Sequence, residues 1–293
     1  MAMNPATAVS LSTVRIESYS EAGKSVGTGY FYNIETPAAE SGFVNVTPLI
    51  VTNKHVVCGS KLIKVTLDVA KSGSHINEDG SVDWQERHTF ELDPLGGSIL
   101  MHPDDEVDLC VIRMGQILGR IAEGYTPKNH FLDKRWRLGV DDFPHIRPIE
   151  SVVMVGYPNG MWDKHNNKPI VRKGMTATHC LTRWDNNRYF VIDCACFPGS
   201  SGSPVFLYED GIYRVGGDKY APGTGAKLIG TLWGGPTYSN KGKLIPKPVP
   251  SLLAADADAI PVIEVMMNLG FVIHADALDD FIPIISRLIE NNQ

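Results

Sequence analysis

The chain is poor in several features that mark particular protein classes. It holds 5 cysteines in 293 residues, an odd number and too few for a disulfide framework, so reduced thiols are expected. No apolar run approaches the roughly 18 to 20 residues that a membrane-crossing helix needs. The opening Met1 to Thr13 has no basic segment followed by an apolar one, as a secretory leader would. Read as a natural start, this predicts a cytoplasmic protein; a leader already removed would make it a secreted one. Positive charge is in deficit, with 27 Lys and Arg against 33 Asp and Glu and a net charge of −6. No overall positive field exists to hold a phosphate backbone, so neither nucleic acid nor a membrane surface is an expected partner. The composition, 43% hydrophobic and 20% charged, excludes disorder and coiled coil. The oligomeric state stays open.

What is present is a succession of short apolar and β-branched runs bounded by Gly, Pro, Asn and Asp, the pattern of strands. About twelve are legible. One group lies near residues 14–18, 30–34, 49–52, 62–69, 89–92 and 108–114; a second lies near 152–156, 170–178, 189–193, 203–207, 228–233 and 271–274. Helical periodicity is strong only at the end, where Leu278, Phe281, Ile282, Ile285, Leu288 and Ile289 share a face. Pro283 predicts a late start or a kink. A shorter apolar period at Ile117, Leu118 and Ile121 suggests a turn of helix between the groups. The expected division is therefore 8–125 for the first unit, 126–148 for a linker, 149–275 for the second unit and 276–293 for the C-terminal helix. Lys71 to Glu86 and Pro236 to Pro261 read as long loops.

The richest chemistry lies in Phe197-Pro198-Gly199-Ser200-Ser201-Gly202-Ser203-Pro204. A serine between close glycines, just before a strand, fits a tight turn whose backbone N–H groups can point outward. A Gly/Ser-rich hairpin turn is the commoner origin of such a stretch. A hydroxyl nucleophile needs a base and a group to orient that base. His55 closes the buried-looking strand Leu49 to Thr52 and alone among the 9 histidines stands between two apolar runs; a satisfied core histidine is its plain alternative. Asp108 opens the strand Leu109-Cys110-Val111-Ile112, where a carboxylate drawn into low dielectric needs a donor. The chain order His, Asp, Ser is that of the chymotrypsin type, with the first two members in one strand group and the third in the other. The site is thus expected between two units.

Thr52-Asn53-Lys54-His55-Val56-Val57, Asp108-Leu109-Cys110-Val111-Ile112 and Gly199-Ser200-Ser201-Gly202-Ser203-Pro204 resemble the three catalytic blocks of trypsin-like (chymotrypsin-fold) serine peptidases. The bacterial branch with HtrA-type and glutamyl endopeptidases is the most similar. Gly27-Thr28-Gly29-Tyr30-Phe31, Ile192-Asp193-Cys194-Ala195 and Leu228 to Gly235 are similar to further segments of that branch. The resemblance implies an all-β fold of two six-stranded antiparallel β-barrels packed together, followed by the C-terminal α-helix. It implies Ser201 as nucleophile, His55 as base and then acid, Asp108 as the group fixing the His55 tautomer, and the N–H groups of Gly199 and Ser201 as an oxyanion hole. The substrate implied is a polypeptide, cleaved through an acyl-enzyme, with no cofactor.

Some positions depart from that pattern. Leu232 stands where glutamyl endopeptidases have a histidine, and Ala195 where trypsins have an aspartate. The eighteen or so residues after the last strand are too few for the PDZ domain of HtrA-type proteins, a module of roughly 90 residues. Substrate contacts are expected from Ala195, Cys196, Leu232, Trp233, Gly234 and Gly235, forming a neutral pocket for an uncharged residue before the scissile bond. Cys194-x-Cys196 lacks the usual zinc spacing and Asp104-Asp105-Glu106 lacks that of a calcium loop, so no metal site is expected. Cys58 and Cys110 read as small hydrophobes. Two other functions use the same residues: a catalytically silent module that adds a peptide as a strand beside Trp233 to Gly235, and an esterase.

Overall fold

The computed structural model describes residues 3–38, 42–75, 77, 86–216, 218–241 and 262–291. A short helix α1 (Pro5–Leu11) precedes the strands β1 (Thr13–Ser20), β2 (Gly23–Pro37) and β3 (Val44–Thr52). One helical turn α2 (Lys54–Val57) leads to β4 (Leu62–Lys71), β5 (Glu86–Leu92), β6 (Ile99–Met101) and β7 (Cys110–Arg113). After α3 (Gly115–Leu118) and β8 (Tyr125–Pro127) come β9 (Ser151–Gly156), β10 (Ile170–Thr176), β11 (Tyr189–Asp193), β12 (Pro204–Gly216) and β13 (Lys219–Gly234). The chain ends in β14 (Thr237–Lys241), β15 (Val262–Met266), β16 (Leu269–His274), a 3-10 stretch Ala275–Phe281 and α4 (Ile282–Glu290).

The architecture is mostly β, with a C-terminal helix. Strands β9 to β13 and β16 close into a six-stranded barrel in the order β10-β11-β16-β13-β12-β9. The expectation of a second closed six-stranded barrel does not hold. The first half is an eight-stranded antiparallel sheet in the order β5-β4-β1-β2-β3-β7-β6, with β8 on β4, and among the described residues it stays open at β5 and β6. Strands β6 and β8 were not legible: at three residues each they are too short for a period-2 pattern to show. The 71–86 loop falls largely outside the described residues, as does 242–261 of the stretch read as a loop from Pro236; that stretch also contains β14.

Why some strands read as unbroken apolar runs becomes clear from where their faces go. Along β3, Leu49 and Val51 enter a core shared by both halves while Ile50 enters the first half's interior. In β9, Val153 and Val155 face the shared core, and Val152 and Met154 line the barrel interior. A strand buried on both faces has no polar side to alternate. The one-sided β1 does alternate, with Val14, Ile16 and Ser18 buried and Arg15, Glu17 and Tyr19 more exposed. Leu278, Phe281 and Ile285 complete the shared core from the C-terminal segment. Pro283 sits in the first turn of α4, where its missing N–H costs nothing, so the helix begins late.

Candidate active site

His55 lies on α2, beyond the strand that was expected to carry it. Strand β3 ends at Thr52 and Asn53 turns the chain, leaving the imidazole half exposed at the boundary between the halves. Two contacts fix α2: the buried Ser18 hydroxyl on β1 donates to the Val56 carbonyl at 2.6 Å, and the Lys54 ammonium donates to the Asp104 carbonyl at 2.9 Å. Asp108 precedes β7 by two residues instead of opening it. Its carboxylate contacts the His55 ring through Nδ1 and accepts the His55 backbone N–H at 3.1 Å, while the Asn53 side-chain amide donates to the Asp108 carbonyl at 2.7 Å. Burial pushes the Asp108 carboxyl upward, but the His55 ring and the N–H groups of His55 and Lys54 outweigh it and hold the acid below the usual carboxylate range. An ionised acid bonded to Nδ1 leaves Nε2 as the free nitrogen of the ring.

Ser201 comes from the turn between β11 and β12. Here the N–H groups differ in their use. Ser200 N–H donates to the Phe197 carbonyl (2.9 Å), Gly202 N–H to the Leu232 carbonyl (2.8 Å) and Ser203 N–H to the Ser200 carbonyl (3.0 Å). Among the described residues, the N–H groups of Gly199 and Ser201 meet no acceptor. The Pro198 carbonyl accepts from Asn159 N–H at 2.6 Å. Since C=O and N–H of a trans peptide point in opposite directions, this bond turns the Gly199 N–H away from Asn159. At Gly202, φ is +86° and a Cβ would stand 1.9 Å from the Thr28 carbonyl oxygen, so only glycine lets the turn close against β2.

Thr28 joins the halves at this point. Its N–H donates to the Ser201 carbonyl (2.8 Å), and its hydroxyl donates to the Gly199 carbonyl (2.8 Å) while accepting from Tyr157 N–H (3.1 Å). Neither this clamp nor Ser18 was singled out as functional from the sequence. The available signal was the pair Gly27 and Gly29 inside a strand, a mark of close backbone approach.

The hydroxyl of Ser201 donates to the Trp233 carbonyl at 3.3 Å, and no hydrogen bond joins it to His55 among the described residues. Trp233 stacks on Phe271, with ring centres 5.5 Å apart, and meets the edge of Tyr189. A cavity of about 340 Å³ runs from Asp104 and Asp108 past Tyr189 to Trp233. Another, of about 310 Å³, lies between Trp136, Ile146 and Tyr213 and contains none of the candidate residues.

A model of the trypsin-like peptidase domain matches residues 27–212. The chain belongs to the trypsin-like peptidase family. It is a hydrolase of the serine-protease class, and its substrate is accordingly a polypeptide. The peptidase is similar to the serine endoprotease of Yersinia pestis, at 14% identity over 100% of this chain and 69% of that one, with a TM-score of 0.46. It is similar to tobacco etch virus protease complexed with product, at 12% identity over 80% and 72% of the two chains (TM-score 0.45). An inactive form of Rv3671c from Mycobacterium tuberculosis matches at 14% identity over 95% and 92% (TM-score 0.39). No curated protein matches the peptidase, and no helix among the described residues is long and apolar enough to cross a membrane.

The residues expected to contact substrate divide into two sets. Ala195, Trp233, Gly234 and Gly235 are partly exposed. Cys196 and Leu232 are not: at 2% and 1% exposure they pack inside the barrel with Ile192 and Val272. For Leu232 the reason is geometric, because alternate residues of a strand face opposite ways and Leu232 and Trp233 are successive on β13. All five cysteines are free; Cys58 is exposed and is not the packed hydrophobe expected, while Cys110, Cys180, Cys194 and Cys196 are buried. Burial pushes the Cys180 and Cys196 thiols up to about 12.

Proposed function

We propose that the peptidase cleaves polypeptides through Ser201, His55 and Asp108. The unclaimed N–H groups of Gly199 and Ser201, set beside the engaged N–H groups of Ser200, Gly202 and Ser203, carry this reading. Ser201 Oγ attacks the scissile carbonyl as His55 Nε2 takes its proton. The C–N bond breaks as that proton passes to the leaving amine, and water then releases the acyl group by the same steps in reverse roles. Asp108, kept ionised by its contacts, holds the tautomer of His55 and steadies the imidazolium. Each N–H aimed at the developing oxyanion contributes about 3 to 4 kcal/mol to the transition state. The residue before the scissile bond, P1, lies over Ala195 and beside Trp233 to Gly235.

The bond from Ser201 to the Trp233 carbonyl favours a second reading, a silent peptide-binding module, because it points the hydroxyl away from a base. A fluorophosphonate probe decides: labelling at Ser201 that vanishes in Ser201→Ala supports hydrolysis, and peptide binding without labelling supports the module. In the enzyme, Ser201→Ala or His55→Ala lowers kcat by about 10⁴ to 10⁶, and the double variant is hardly worse than either. Additive losses in kcat would argue against a joint role. Comparing amide with ester substrates separates the esterase alternative.

A further inference from the structure

A cation with no role so far stands against the segment that leads into Ser201. Arg172 lies on β10, opposite Met154 of β9, and Ile170 two residues before it is opposite Gly156. From Gly156 the chain continues directly into Tyr157 to Gly160, the segment that backs Gly199. Arg172 is therefore two residues below the oxyanion rim, about 7 Å along a strand. Its Nη1 donates to the Ala195 carbonyl at 2.9 Å, and its guanidinium carbon stands 4.8 Å from the centre of the Phe197 ring. Ala195 and Phe197 belong to the segment that leads into Ser201 and forms the floor over which P1 lies.

The charge of Arg172 is unanswered. Arg15, Arg87, Arg135, Arg137, Arg188 and Arg214 each face a carboxylate, whereas Arg113, far from the nucleophile's segment, meets the Gly97 carbonyl instead. Arg172, part-buried, has no ion pair among the described residues, and its Nε is buried without an acceptor. Asp193, on the neighbouring strand opposite Met175, is exposed and forms no ion pair with it. A guanidinium drawn partly out of water against one neutral carbonyl lacks the partner that such burial ordinarily demands. A carboxylate offers its fork two oxygens in one plane. Among the twenty side chains only Glu and Asp bring that group.

We propose that Arg172 reads the P1 side chain and that the peptidase prefers an acidic residue there, which replaces the neutral pocket expected from Ala195, Cys196 and Leu232. The proposal rests on Ser201 as the nucleophile, since that choice defines which residue is P1. The test is kcat/KM for peptides identical except for Glu or its neutral isostere Gln at P1. For the unaltered enzyme the Glu peptide is preferred by about tenfold or more, the size expected for a charge-assisted pair. In Arg172→Met the ratio falls toward one; in Arg172→Lys it stays above one. A ratio at or below one in the unaltered enzyme overturns the proposal whatever the variants do, as does an unchanged ratio in a folded Arg172→Met. The nucleophile is judged apart: Ser201→Ala that still cleaves with the Glu preference removes Ser201 and spares Arg172. Inactive Ser201→Ala beside an enzyme indifferent to Glu removes Arg172 alone.

Discussion

At the scale of single residues, the active-site turn depends on positions where no side chain fits. Gly202 combines a φ of +86° with a Cβ position 1.9 Å from the Thr28 carbonyl and 2.6 Å from the Thr52 hydroxyl. Gly202→Ala must therefore displace β2 or open the turn, and we expect a loss of about 3 kcal/mol or more of stability, with probe labelling of Ser201 abolished. Gly59 isolates the conformational part of that cost. It has φ +74° and nothing within 4 Å of its Cβ position, so Gly59→Ala is expected to cost only about 1 kcal/mol. Urea denaturation of the two variants measures the difference. Equal losses would mean that the contact with Thr28 is not what demands glycine at position 202.

At the scale of elements, the C-terminal segment is part of the shared core. Phe281 is fully buried and meets the edge of His102 at 5.4 Å, in the loop that leads to Asp108. Arg137 pairs with Asp279 at 2.6 Å, and Arg188 contacts both Asp276 and Asp280. Phe281→Ala should cost about 3 to 5 kcal/mol of stability in denaturant; a loss below about 1 kcal/mol would show the segment to be peripheral. The helical face around Phe281 was legible because its period is long and its apolar residues are large. Helix α1 was not: Thr, Val and Ser are weak helix formers, and what holds its seven residues is the Asn4 cap and a buried face. Most strands of the barrel and of the first sheet were legible from their apolar runs, whereas β14, inside a stretch read as a loop, and β15 were not; closure was not legible either, since which edges pair is settled by partners distant in sequence. The three blocks holding His55, Asp108 and Ser201 stood out because each mixes polar chemistry with apolar neighbours. Arg172 did not, since its setting depends on β9 and on Ala195, which lie far along the chain.

For the whole molecule, the buried and half-buried carboxylates shape how stability responds to acid. Glu17 on β1 is pushed up by burial, yet Lys24 at 2.9 Å, the Tyr19 hydroxyl at 2.8 Å and Arg15 together bring it from 4.5 down to about 2. Its folded value lies below its unfolded one, so its stabilising contribution is complete above about pH 4.5 and is lost as the pH falls toward 2. Asp108 and Asp133 are likewise lowered and act in the same direction. Asp68 opposes them: burial outweighs its contacts with Asn167 and Arg87 and raises it, so protonating it in acid relieves a cost of the folded state. With three groups against one, stability is expected to fall from pH 5 to pH 2. Glu17→Gln should be less stable than the unaltered protein at pH 6, the gap should narrow steadily through that interval, and near pH 2 the two should coincide. Denaturant midpoints measured at half-unit steps of pH give the comparison. A gap that stays constant down to pH 2 would mean that Glu17 acts through packing instead of charge.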